Sequence, residues 1–175
     1  LTGNAKKNFI LLLELHILKF LLPITAKHCS NEKNYIFFLT ALSNSDDRVK
    51  KDLPLTPAFL FSVLLWPALT NRMGEINSRK IKSPILLRAS NIIFKQCRED
   101  CFIPKRTENM IKEIWEFQIK LLKFPPKSKL IFSHRRFRAG YDFLLLREEA
   151  GLNLGGAGKW WKENQPKSKR FYKNK

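Results

Sequence analysis

The stretch H-R-R-F-R-A-G-Y-D-F-L-L-L-R, His134–Arg147, decides the reading of the chain. It is a basic edge that runs straight into an apolar helix. Phe137, Tyr141, Leu144 and Leu145 recur at the three- and four-residue spacing that lines one helical face. Arg135, Arg136 and Arg138 crowd the helix start, where the macrodipole favours negative charge. Three arginines at the unfavourable end predict a partner that supplies the anion, with phosphate as the leading chemistry; plain solvent exposure would also tolerate them. Downstream, Asn153–Gly158 reads as a flexible hinge into a short helix around Trp160 and Trp161, a pair expected to anchor packing.

Upstream, the same period gives a run of helices. Asn8–Leu22 reads as one amphipathic helix with Phe9, Leu12, Leu13, His16, Ile17 and Phe20 on the buried stripe, ended by Pro23. Tyr35–Ser43 reads as a short helix, followed by a loop over Asn44–Asp52, rich in charge and turn formers. Thr56 then caps a helix with Pro57 in its first turn. Pro67 kinks or ends it, and Arg72–Ser83 is a basic, irregular link. Pro84–Glu99 is helical with Leu86, Ala89, Ile92 or Ile93, and Cys97 on one face. Ile103–Pro104 breaks it, and Thr107 caps Glu108–Leu122, which turns Ile111, Ile114, Trp115 and Leu121 inward and ends before Pro125–Pro126. Lys127–Phe132 is ambiguous. No strand pattern or internal repeat appears. The expected fold class is all-α, an irregular array of short antiparallel helices with a basic C-terminal tail.

Composition bounds the partners. A chain of 175 residues, 44% hydrophobic and 12% aromatic, is long enough to bury a core. Its 33 Lys+Arg against 15 Asp+Glu, a net charge of +18, imply a polyanion: nucleic acid first, an anionic membrane surface second. The apolar runs are too short or too charged to span a bilayer. Cys29, Cys97 and Cys101 are an odd number, which predicts core thiols in a reducing, cytoplasmic setting.

The basic residues concentrate. Lys120, Lys123, Lys127, Lys129, Arg135, Arg136 and Arg138 lie in one segment with no acidic residue and with Phe124, Phe132 and Phe137 interleaved. Lys159, Lys162, Lys167, Lys169 and Arg170 follow towards the C-terminus, and Lys105 and Arg106 precede. Cations that track a phosphate backbone, with rings for bases to stack on, are the ingredients of single-stranded RNA binding. Like charges this dense lack an intrachain neutraliser, which favours that reading over phenylalanines in a core and lysines in water.

Catalytic constellations are thin. Asp46–Asp47 is the one adjacent aspartate pair and reads as a solvated turn, and Glu148–Glu149 reads as a surface pair. Gly151–Gly158 follows a helix and lacks the Gly-Lys-Ser/Thr ending of a triphosphate loop. Cys97 and Cys101 lack two further clustered ligands for zinc. No catalytic residue and no metal ligand is assigned.

A family resemblance extends these readings. R-F-R-A-G-Y-D-F-L-L-L-R-E-E-A with K-W-W-K-E-N-Q resembles the C-terminal region of bacterial poly(A) polymerases, the class II polynucleotide adenylyltransferases. L-T-G-N-A at Leu1–Ala5, D-L-P-L-T-P-A-F-L-F at Asp52–Phe61, C-F-I-P-K-R-T at Cys101–Thr107 and I-W-E-F-Q at Ile114–Gln118 are similar to the same family in the same order. Arg72–Lys82 is shorter than the pattern, and K-E-N-Q departs from its usual aromatic-containing form. The resemblance implies an enzyme that adds AMP from ATP, with magnesium, to RNA 3′ ends, marking transcripts for decay and meeting RNA-decay factors. It also implies that the catalytic head and neck lie upstream of Leu1, so this piece alone is expected to bind RNA and not to catalyse. The expected organisation is a helical body over 1–70, an RNA-binding region over 71–165 and a disordered tail over 166–175. The alternatives are a stand-alone or relic non-catalytic RNA-binding module, or a CCA-adding tRNA nucleotidyltransferase. Peripheral membrane attachment is a weaker third.

Overall fold

A computed structural model describes residues 3–74, 83–126 and 129–166. Among these the chain is helical throughout, with no strand. The elements are α1 (Ala5–Glu14), α2 (Leu18–Leu21), α3 (Pro23–Ala26), α4 (Glu32–Lys50), α5 (Pro57–Leu64), α6 (Trp66–Met73), α7 (Ser83–Asp100) and α8 (Lys105–Leu121). A 3-10 turn (Lys129–Ser133), α9 (Phe137–Glu149) and α10 (Ala157–Asn164) follow. No helix among the described residues is long and apolar enough to cross a membrane.

The N-terminal segment is two helices and not one. His16 adopts φ +56, in the left-handed region, and turns the chain between α1 and α2. The turn re-phases the stripe. Phe9 stays buried, Leu18 enters the core at 1% exposure, and Ile17 and Phe20 face outward, Phe20 at 73%. Pro23 takes the first position of α3, where its missing donor costs nothing.

The expected loop over 44–52 is instead the second half of α4. Asn31 caps that helix by accepting the Asn34 N–H at 3.1 Å, and Arg48 and Lys50 suit its C-terminal dipole. Asn, Ser and Asp have weak helix preference because their side chains compete for backbone groups. Burial overrides this here: Ser45 bonds back to the Ala41 carbonyl at 2.7 Å. Asp46, read as solvated, is buried and accepts the N–H groups of Ala5 at 2.6 Å and Lys6 at 3.0 Å. It therefore caps α1, whose own N-cap residue, Asn4, makes no side-chain cap bond.

The remaining boundaries follow local chemistry. Thr56 accepts from the Phe59 N–H at 3.4 Å, and the helix breaks at Leu65 before Pro67. α8 starts two residues before Thr107, after Pro104, so Thr107 lies inside it and caps nothing. In α7, Ile93 is the buried member of its isoleucine pair and Ile92 is 37% exposed.

α8 and α9 form the spine. Trp115 donates its indole N–H to the Ser62 carbonyl at 2.9 Å, fixing α8 on α5. Gln118 donates to the Gly140 carbonyl at 2.9 Å and accepts from Arg147 at 3.2 Å, fixing α8 on α9. Gly140 is glycine because a Cβ there would lie 2.5 Å from the Phe117 Cβ. One apolar cluster spreads from Ala5 to Leu146. A second joins Phe117, Leu121, Phe137, Tyr141 and Leu144 to Leu154 and Trp161.

Candidate nucleic-acid interface

The basic edge forms where α8 passes the start of α9. Arg136 precedes α9 as its N-cap, and Arg135 and Arg138 flank it. Glu113 projects from α8 and takes both neighbours: Arg135 Nη2 donates to its Oε1 at 2.6 Å, Arg136 Nε to its Oε2 at 2.8 Å. Arg138 pairs with Asp142, one turn further on, at 2.9 Å. The chain therefore supplies carboxylates to all three arginines, and the expectation that no intrachain neutraliser exists is corrected. It failed because the neutralising glutamate sits 22 positions upstream of Arg135 and meets the edge through helix packing alone.

These pairs hold the arginines without hiding them. Arg135 and Arg138 keep 72% and 73% of their side-chain surface exposed; Arg136 keeps 23%. Partial burial opposes ionisation of Glu113, but the hydrogen bonds from Arg136 and Arg135 outweigh it and hold the carboxyl below its ordinary value. Next along α8, Lys120 lies 5.2 Å over the Phe117 ring, whose other contacts include His134 at 4.9 Å. Lys120 is also 3.8 Å from Glu116. Lys120, His134, Arg135 and Arg136 thus gather around one α8 surface.

The other candidates spread out. Lys105 and Arg106 are exposed at the N-terminal end of α8, about 12 Å along the helix from Glu113 at the rise of ~1.5 Å per residue. Lys105 there joins Arg98 on the buried carboxylate of Glu108, at 2.8 and 2.9 Å. These are structural ion pairs, of which Lys105–Glu108 has the local i,i+3 spacing and Arg98–Glu108 forms through helix packing. Lys123, Lys159 and Lys162 are exposed. The contact between Phe124 and Trp160, with ring centroids 5.8 Å apart, sets Lys123 and Lys159 beside the same junction. Lys127, Lys167, Lys169 and Arg170 lie outside the described residues, as does most of the Arg72–Ser83 link; the side chain of Lys129 is not described.

The interleaved phenylalanines are packing groups. Phe137 is buried and Phe132 half-buried, and both meet the fully buried Trp161, at 5.8 and 5.4 Å. Trp161 donates its indole N–H to the Leu121 carbonyl at 2.7 Å, closing α10 onto α8. On α9, Leu145 points outward at 36% exposure and Leu146 takes the inward place. The glycine-rich segment is a fixed connection: Leu154 and Ala157 are buried, and Gly156 enters α10 with φ +75. Glu148, read as half of a surface pair, accepts the Gly158 N–H at 3.0 Å and caps that helix.

Among the described residues no three His, Cys, Asp or Glu side chains gather where they could hold an ion. Cys29 and Cys97 are buried free thiols whose pKa burial pushes up to about 11 and about 12, so they stay protonated and unreactive.

The sequence model of the family described as "Polymerase A arginine-rich C-terminus" matches residues 80–174, more than half of the chain. The chain belongs to that family. Among curated relatives, Poly(A) polymerase I of an Escherichia coli strain is 27% identical over 172 residues, covering 93% of this chain and 37% of that protein. Poly(A) polymerase I of Salmonella typhi is likewise 27% identical over 172 residues, with the same coverage of each chain. Poly(A) polymerase I of Haemophilus influenzae is 28% identical over 174 residues, covering 93% of this chain and 38% of that protein. The chain spans little more than a third of the length of these relatives.

Proposed function

We propose that this chain is the RNA-gripping C-terminal part of a polymerase that adds AMP from ATP to RNA 3′ ends in the cytoplasm, and that it binds RNA without catalysing. The arginine edge carries the reading: Arg135, Arg136 and Arg138 are pre-positioned by Glu113 and Asp142 while two of them stay open to a phosphate backbone. The name of the family and of the relatives supports it. The same resemblance implies ATP, magnesium and RNA-decay factors for the whole enzyme.

Five of the described carboxylates are engaged elsewhere and do not suit the two-metal chemistry of nucleotide addition. Asp46 is spent on capping α1, Glu108 on Arg98 and Lys105, Glu113 on the arginines, and Glu148 on capping α10. Asp47, beside Asp46, faces Lys50 at 3.8 Å.

Two assays on the purified chain test this reading. A gel shift with single-stranded RNA should show binding, and incubation with labelled ATP, magnesium and an RNA primer should leave the primer unextended. Primer extension would overturn the non-catalytic assignment. Absence of any RNA complex at low salt would overturn the RNA-binding one.

A further inference from the structure

A groove of about 480 Å³ runs beside the basic edge, between α4, the start of α5 and α9. Small-molecule sites occupy roughly 300–1,000 Å³, so it is of a size to enclose one ring system. Its wall is apolar where Phe59, Leu145 and Leu146 line it, and its mouth carries Arg48, Arg135 and Arg138. Arg48 is fixed there by donating to the Pro54 carbonyl at 3.0 Å.

Acceptors lie along the α9 side. Asp142 pairs with Arg138 at 2.9 Å, and Glu149, two turns on, accepts the Asn44 side-chain amide at 2.7 Å. Burial is the main influence on Asp142 and lifts its carboxyl above the ordinary value despite Arg138. The site therefore combines guanidinium groups able to meet a phosphate, apolar side chains, and carboxyl oxygens that accept hydrogen bonds. Lipid headgroups use the first feature alone. An acidic peptide would meet the carboxylates as repulsion.

We infer that this groove takes one unstacked nucleotide of single-stranded RNA. Its phosphate lies on Arg135 and Arg138, its base lies against Phe59 and Leu145, and an exocyclic amine on the base donates to Glu149, since both oxygens of Asp142 accept from Arg138. The inference rests on the RNA-binding reading and adds a base preference to it. Adenine, cytosine and guanine carry such an amine. Uracil has none: its single N3–H is flanked by two carbonyls, which meet a carboxylate as unpaired acceptors and cost binding.

The test compares ten-nucleotide oligoadenylate and oligouridylate by fluorescence anisotropy on the full 175-residue chain, with helical content checked by circular dichroism. The chain should bind oligoadenylate about tenfold more tightly, the scale of one lost charged hydrogen bond. Glu149→Gln with Asn44→Ala should reduce that ratio several-fold, and Ala139→Phe, which fills the groove, should remove it. Should Ala139→Phe fail to fold, oligoadenylate bearing azidoadenosine, photocrosslinked to the unaltered chain, should mark peptides containing Phe59 or Leu145. Equal affinity for the two oligomers, an unchanged ratio in the folded variants, or crosslinks elsewhere would overturn the groove assignment while leaving RNA binding intact. Failure of both oligomers to bind would overturn both.

Discussion

The Glu113 carboxylate of α8 is held by Arg136, Nε to Oε2 at 2.8 Å, across the meeting of α8 and α9. This acidic side chain thereby orients Arg135 and Arg136 and competes for them. A phosphate arriving at Arg135 or Arg136 must share that guanidinium with Glu113.

Glu113→Gln should therefore tighten RNA binding by about two- to fivefold at moderate salt, the worth of a partly exposed ion pair at roughly 0.5–1 kcal/mol. Anisotropy titrations of the two proteins against one RNA measure it. Weaker binding by the variant would mean that orientation of the arginines outweighs competition.

The buried Glu108 makes a pH prediction. Burial alone would raise its pKa, but the hydrogen bonds from Lys105 and Arg98 prevail and lower it from 4.5. The folded chain then binds fewer protons here than the unfolded chain, so this contribution is present above about pH 4.5 and fades as pH falls through the folded value. Glu108→Gln should destabilise by about 1–2 kcal/mol near neutral pH, with the gap in Tm closing as pH falls below 4.5 and through the lowered folded value. A gap that persists unchanged in acid would locate the effect in packing.

Gly140→Ala should destabilise by about 1–3 kcal/mol, since the new methyl meets backbone-proximal atoms of Phe117 and not a movable side-chain end. Urea denaturation at neutral pH reads this directly. An unperturbed midpoint would show that α8 and α9 separate at little cost.

Asp46→Ala should remove both acceptors from the start of α1 and cost about 0.5–2 kcal/mol. Hydrogen exchange should report the loss at the amides of Ala5 and Lys6 first. Protection that survives there would mean that packing of Phe9 alone holds α1.

These residues also mark what the sequence could show. Helical periodicity placed Leu86, Ala89 and Cys97 of α7, and Ile111, Ile114, Trp115 and Leu121 of α8, on buried faces. Those patterns are local. The breaks signalled by Pro67 and Pro104 were equally local, because proline acts through its own ring and its missing donor.

What stayed hidden depends on long-range contact. Asp46 looks like a loop residue until α1 arrives 41 positions upstream to need a cap. His16 turns the chain by a left-handed backbone that no side-chain pattern announces. At the basic edge, the crowding of Arg135, Arg136 and Arg138 was readable, but Glu113, the partner of Arg135 and Arg136, belongs to another helix. The rings of Phe132 and Phe137 were ambiguous between core and stacking platform until Trp161 covered them.

The most direct test of the central claim is the salt dependence of RNA affinity for the unaltered chain and for Arg135→Ala/Arg136→Ala/Arg138→Ala. Each lost phosphate contact to single-stranded RNA lowers the log–log slope by about 0.7. The account predicts weaker binding by the triple variant on every RNA sequence tried, with a slope shallower by roughly 1–2. Identical affinity and slope, with circular dichroism showing both proteins equally folded, would contradict it and move RNA off this edge of the molecule.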